Sequence, residues 1–190
     1  MNIGLYFGSF NPIHNGHLII ASYMVNFTDL KKVWLIVSPQ NPFKETSSLL
    51  NERHRKHLVD MAVEGDSRLK ASGIEFKLPR PSYTIDTLTY LSEKYPQHDF
   101  TIIMGSDSFK NIKKWKNAGF LLKNYKINIY KRTGFDIDKN MLSENIQVVD
   151  APLLQISGSM IRQLIKERKS IRYMVPEIVN EEILNQQYYF

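Results

Sequence analysis

The chain of 190 residues contains no cysteine, which excludes disulfides, thiolate metal sites and a cysteine nucleophile. No apolar run approaches the length a membrane-spanning helix needs, so no membrane partnership is expected. The opening "MNIGLYFGSF" has no basic leader, and its apolar run is too short for a secretory core; the expected location is cytoplasmic. Neither G-x-G-x-x-G nor G-x-x-x-x-G-K-[ST] occurs, which removes the usual signatures of dinucleotide and P-loop binding. There is also no internal repeat, low-complexity tract or linker. What remains is ordinary globular composition, 43% hydrophobic, and a length that suits one domain with a full sheet and its covering helices. Lys and Arg number 25 against 19 Asp and Glu, a net charge of +6 that favours anionic ligands, whether phosphates or nucleic acid.

Hydrophobic periodicity divides the chain into alternating strands and helices. "NIGLYF" alternates Ile3, Leu5 and Phe7 like a strand, and "HLIIASYMVNF" has near-helical spacing. "KKVWLIV" reads as a buried strand, "NERHRKHLVDMAVEG" as a helix capped by Asn51, and "LKASGIEF" as a weaker strand. A helix over "TIDTLTYLSEKY", a buried strand at "DFTIIM", a short helix at "DSFKNIKKW" and strands at "YKINIYK" and "IQVVD" follow. Ser157 is the expected cap of "SMIRQLIKERK", and Pro176 the first helical residue of "PEIVNEEILNQ". This alternation predicts an α/β fold: a doubly wound, Rossmann-like parallel sheet with helices on both faces, as a single domain over 1–190 that includes the helices from about 157 onward. The loop-rich regions are 38–50 and 131–145.

In such a sheet ligands bind beyond the carboxyl ends of the strands, where strand order reverses. For the order 3-2-1-4-5, the loops meeting there are "GSFNPIHNGH" after the first strand and "GSDSF" after the fourth, both opening with Gly and Ser. Permissive turns and a helix starting near Gly16 suit an anion. His14 and His17 lie in the first of these loops. A zinc pair is one reading, but no cysteine exists and no third ligand lies near in sequence. Turn histidines with satisfied hydrogen bonds are another. His54 and His57 repeat the spacing inside "NERHRKHL", among charges read as solvated, and are taken as structural. Beside phosphates at a helix N-terminus, an imidazole can instead donate to a phosphoryl oxygen as charge builds on it.

"GSFNPIHNGH" resembles the G-x-F-x-P-x-H-x-G-H signature of nucleotidylyltransferases, and "ISGSMIR" resembles their second signature, I-S-S-T-x-I-R. "SPQNPFK", "PSYTIDTL", "IIMGSDSF" with the following "KKW", and "YMVPEIVNEEI" narrow the likeness to the bacterial nicotinate mononucleotide adenylyltransferases, over nearly the whole chain. The resemblance implies transfer of AMP from ATP to the 5′-phosphate of nicotinate mononucleotide, with release of pyrophosphate and no covalent enzyme intermediate. It implies that Gly8, Ser9 and Phe10 lend backbone to nucleotide phosphates and that His14 and His17 contact the ATP phosphates. Ser157, Ser159 and Arg162 are to hold the leaving pyrophosphate, with His17, His14 and Arg162 as the catalytic groups. Lys44, Gly105, Asp107 and Arg132 complete the implied ATP site, Asp107 through ribose hydroxyls. Tyr83, Thr84 and Trp115 are implied for the nicotinate nucleotide, Trp115 as a stacking platform. Mg2+ is expected with ATP, since no carboxylate cluster suggests a protein-held metal. The chain departs from the pattern at Asn11, where Asp is common, at Phe43, where His often precedes the lysine, and at Gly158, where a second Ser is usual.

Two other readings stand beside this one. A nucleic-acid-binding module would use runs such as "RHRKH" and "KNIKKWK", but these are dispersed and no RNP-like or zinc-finger pattern accompanies them, so no nucleic-acid partner is expected. A sister adenylyltransferase would take another phosphorylated acceptor, nicotinamide mononucleotide or phosphopantetheine. Oligomeric state is not legible in the sequence.

Overall fold

Strand β1, Asn2–Gly8, sends alternate residues to opposite faces, as a fully buried strand must. Ile3 and Leu5 enter one hydrophobic cluster and Tyr6 the other. The same alternation runs through β2, Lys32–Val37, where Val33, Leu35 and Val37 oppose Trp34 and Ile36. The computed structural model describes residues 1–40 and 49–190, and among these the sheet has six strands. The others are β3, Leu69–Ser72, β4, Asp99–Gly105, β5, Lys126–Tyr130, and β6, Ile146–Val149. The order is β3-β2-β1-β4-β5-β6, every pair parallel.

Helices cover both faces. On one side α1, Asn15–Phe27, α2, Glu52–Val63, α6, Gly158–Lys166, and α7, Glu177–Asn185, bury Ala21, Met24, Leu58, Ile161, Ile165, Val179 and Ile183 against the sheet. On the other, α3, Thr84–Lys94, α4, Ser106–Lys110, and α5, Ala118–Asn124, bury Ile85, Leu88, Leu91, Phe109 and Leu121. The expected caps are present: Asn51 Oδ1 accepts from Arg53 N at 2.9 Å and Ser157 Oγ from Met160 N at 3.2 Å.

The expected strand order, 3-2-1-4-5, is the one found, with β6 added at the edge. Four local expectations are corrected. "LKASGIEF" is strand only to Ser72; after Gly73 the chain turns into a 3-10 segment over Ile74–Lys77. "DSFKNIKKW" is helical only over α4, followed by a 3-10 turn at Ile112–Lys114, and α5 comes after it, a helix too short for its period to stand out. Pro176 caps α7 from outside, with extended backbone, and the helix begins at Glu177. Within "RHRKH", Arg55 is not a solvated charge but fully buried.

Candidate active site

The crevice lies beyond the carboxyl ends of β1 and β4, where the chain crosses from one half of the sheet to the other. The loop leaving β1 is held from within. Phe10 adopts φ 43°, a region costly for a side chain of that size, and buries its ring edge-on to Tyr6 and His17. From α2, Arg55 donates through Nη1 to the carbonyls of Ser9 and Ser38, through Nη2 to Pro39 and through Nε to Leu50, at 2.5 to 3.1 Å. A buried guanidinium thus ties the phosphate-type loop to the segment leaving β2. Burial lowers its pKa, but an arginine stays charged, so its field reaches the Ser9 peptide.

His14 and His17 are brought together at the start of α1. Their rings stack with centroids 3.6 Å apart, and the His14 N–H donates to His17 Nδ1 at 3.3 Å. Accepting that bond leaves Nε2 to carry the His17 proton. Burial, and then the charge of Arg132, hold the His14 pKa down at about 4, so this imidazole is neutral at pH 7. Gly16 leaves room for the His14 ring, since a Cβ there would stand a tight 3.1 Å from His14 Nδ1.

The late motif closes the same cavity from α6. Arg162 Nη1 donates to the Asn11 carbonyl at 2.7 Å, and a Cβ at Gly158 would lie 2.7 Å from that same oxygen. The departure at Gly158 therefore has a steric reason: α6 approaches the first loop more closely than a serine allows. The resulting cavity, about 360 Å³, is lined by Gly8, Ser9, Phe10, His14, His17, Arg132, Ser157, Ser159 and Arg162. Its apolar wall is Leu153, Leu154 and Ile156, from the stretch between β6 and α6.

A second cavity, about 180 Å³, opens on the other side of β1 and β4 and is lined by Tyr83, Thr84, Trp115 and Gly105 together with Ser38, Glu75, Ser82 and Lys116. Trp115 is half-buried, between core and crevice. Lys116 places its ammonium 5.0 Å from the Tyr83 ring centroid and 2.9 Å from Asp86. Tyr6, Phe7, Gly8, Ser9, Asp107, Ser108 and Tyr130 line both cavities, so the two meet at the end of β1. Here the hydroxyls of Tyr6 and Tyr130 lie 3.1 Å apart, and burial pushes both pKa values up, keeping the phenols neutral. Asp107 and Arg132, expected to act on ribose and phosphates separately, pair with each other at 3.0 Å. Both are solvent-accessible, so such a pair opens at little cost. Lys44 and the departure at Phe43 lie outside the described residues. Among the described residues no three His, Asp or Glu side chains converge as a metal site, and Asp107 is the sole carboxylate on the first cavity.

A cytidylyltransferase-like family model matches residues 5–164. The probable nicotinate-nucleotide adenylyltransferase of Cytophaga hutchinsonii is 51% identical, over 100% of this chain and 98% of the relative, and that of Flavobacterium johnsoniae is 46% identical, over 100% and 99%. The chain belongs to the nicotinate-nucleotide adenylyltransferases. The fold of this adenylyltransferase is also that of a Plasmodium falciparum nicotinic acid mononucleotide adenylyltransferase complexed with NaAD, at a TM-score of 0.85 and 22% identity, covering 99% of this chain and 97% of the other.

Several groups that line or brace the two cavities of the adenylyltransferase escaped sequence reasoning. Arg55 had a signal: with Leu58, Val59 and Ala62 it sits at i, i+3, i+4 and i+7, a charge on the apolar stripe of α2. Glu75 had none, because strand alternation puts it opposite Ile74 and Phe76, and only the 3-10 turn brings it inward. Lys116 and the Tyr6–Tyr130 pair had no signal either. Among the described residues, no helix is long and apolar enough to cross a membrane.

Proposed function

We propose that the protein transfers AMP from ATP to the 5′-phosphate of nicotinate mononucleotide, with ATP in the first cavity and the acceptor in the second. The observation that carries this reading is the meeting of a cationic cavity and an aromatic one at Gly8 and Ser9. Two polyanions bound on either side would present the acceptor phosphate to the α-phosphorus of ATP there. An acceptor oxygen forms the new bond to that phosphorus as the bond to the β-phosphate oxygen breaks, and the electron pair leaves with pyrophosphate. The acceptor phosphate is already ionised at neutral pH, so no general base and no covalent enzyme intermediate are required.

The protein's part is to align the two phosphates and neutralise the leaving group. His17, with its proton on Nε2, supplies a directional donor, and the neutral His14 stacks on its ring and holds it through the backbone N–H. Arg162 supplies a fork of donors, and the first turns of α1 and α6 direct the positive ends of their helices to the same cavity. The Leu153, Leu154 and Ile156 wall suits a purine. Tyr83 and Thr84 present N–H groups at the start of α3 toward a carboxylate, beside Trp115 for the pyridine face. Mg2+ enters as part of the MgATP substrate; the described side chains offer no resident cage for it.

Pyrophosphate release from ATP with a panel of acceptors tests the proposal. Turnover is expected with nicotinate mononucleotide. Turnover confined to nicotinamide mononucleotide or phosphopantetheine would give the chain a sister activity, and nucleic-acid binding without ATP use would overturn adenylyl transfer altogether.

A further inference from the structure

The second cavity contains a buried ionisable group for which the proposed reaction has no use. Glu75 is 2% exposed, yet it reaches the cavity floor. Its Oε2 accepts from Ser82 Oγ at 2.8 Å and its Oε1 from Thr87 Oγ1 at 2.8 Å, with the Ser38 hydroxyl as a further donor. Removal from water penalises a carboxylate, and its pKa is raised for that reason, while the hydroxyls offset part of the cost. An apolar side chain would fill the space without that cost, so the carboxyl must serve something other than packing.

Its partners show what that is. Ser82 immediately precedes Tyr83 and Thr84, and Thr87 lies in the first turn of the helix they begin. Ser38 hands the network to the other cavity, since its carbonyl accepts from Arg55, which also holds Ser9. We propose that Glu75 is the positioning residue of the acceptor half-site, clasping Ser82 and Thr87 on either side of the Tyr83–Thr84 turn so that its N–H groups meet the acceptor's ring carboxylate. The inference rests on the acceptor reading given above. A carboxylate facing a carboxylate would repel, so Glu75 acts through the turn and not by touching the ring substituent.

Two variants of the full chain test this, Glu75→Gln and Thr87→Val. Thr87 does not line the cavity, and valine keeps its shape without the hydroxyl. Varying each substrate in turn, both variants are expected to raise KM for nicotinate mononucleotide about tenfold while KM for ATP stays within about twofold. A general loss of structure would move both constants together, and that outcome overturns the proposal. So does an unchanged acceptor KM in Thr87→Val, or a lower acceptor KM in Glu75→Gln, which would mark direct repulsion. If Glu75→Gln does not fold, Thr87→Val decides alone. A wild-type enzyme inert toward nicotinate mononucleotide removes the acceptor reading and this inference with it; an active wild type with silent variants removes the inference only.

Discussion

The guanidinium of Arg162 donates to the backbone carbonyl of Asn11 at 2.7 Å, joining the two motif loops across 151 positions of sequence. Gly158 stands one turn away with no side chain, which lets α6 come close enough for that bond. Arg162 therefore has two roles to separate: it presents charge to the first cavity and it fixes the loop carrying the histidines.

Arg162→Lys keeps the charge and loses the fork. A lysine cannot hold Asn11 and a pyrophosphate oxygen in fixed directions at once, so kcat/KM is expected to fall by at least roughly tenfold. Steady-state pyrophosphate release checks this, and parental turnover in the lysine variant would rule out the clamp.

On the proposed reading, His17→Ala removes a donor that would tighten on phosphate oxygen as charge develops. Turnover is expected to drop roughly 10²-fold, with KM for ATP changing much less. His57→Ala is the control. That ring is exposed and 3.6 Å from Glu182, far in role from the crevice, and its loss is expected to leave rates within about twofold.

His14 makes stability depend on pH in a definite direction. Its pKa is about 4 when folded, against an ordinary 6.5, so between these values the unfolded chain holds a proton that the folded chain lacks. Unfolding then takes up a proton, and stability falls as pH falls from about 6.5 to about 4, levelling off below. The size is roughly 3–4 kcal/mol. Urea midpoints at pH 7 and pH 5 are expected to converge in His14→Gln relative to the parent. An equal pH dependence in the two proteins would place the effect elsewhere.

The acceptor's acid and amide forms differ by one charged group, and what faces that group decides between them. N–H donors at the start of α3 match a carboxylate, whereas a carboxamide turns its own NH2 toward donors. Selectivity in kcat/KM for nicotinate over nicotinamide mononucleotide is expected to be at least roughly tenfold. Lys116 is the cationic side chain among the described residues of that cavity, and its exposed pairing with Asp86 leaves it able to swing. Lys116→Met is expected to narrow the acid preference by about threefold or more. Competing both acceptors in one assay gives the ratio directly, and equal use of the amide by the parent would overturn the acceptor assignment but not adenylyl transfer.

Much of the site was legible because its parts are local. Gly8 through His17 run from the end of β1 through one turn into α1, in consecutive residues, and Ser157 caps α6 from the neighbouring position. The strands were legible too, since buried parallel strands announce themselves as apolar runs, while their order entered as an assumption that the sheet bears out. The 3-10 turn at Ile74–Lys77 was not, because Ile74 and Phe76 flank Glu75 in the pattern of a strand, and only the stop at Gly73 redirects them.

From the sequence alone came the alternation of strands and helices and the crevice at the ends of β1 and β4, because periodicity and turn chemistry act over a few residues, while the motif residues that gather there were implied by the family resemblance. The tertiary structure alone decided that Arg55 holds Ser9 and Ser38, that Glu75 clasps Ser82 and Thr87, that Asp107 and Arg132 pair, and that His14 stays neutral. Burial and partnership of a polar side chain depend on which distant elements the fold brings against it, and short-range pattern carries no record of that.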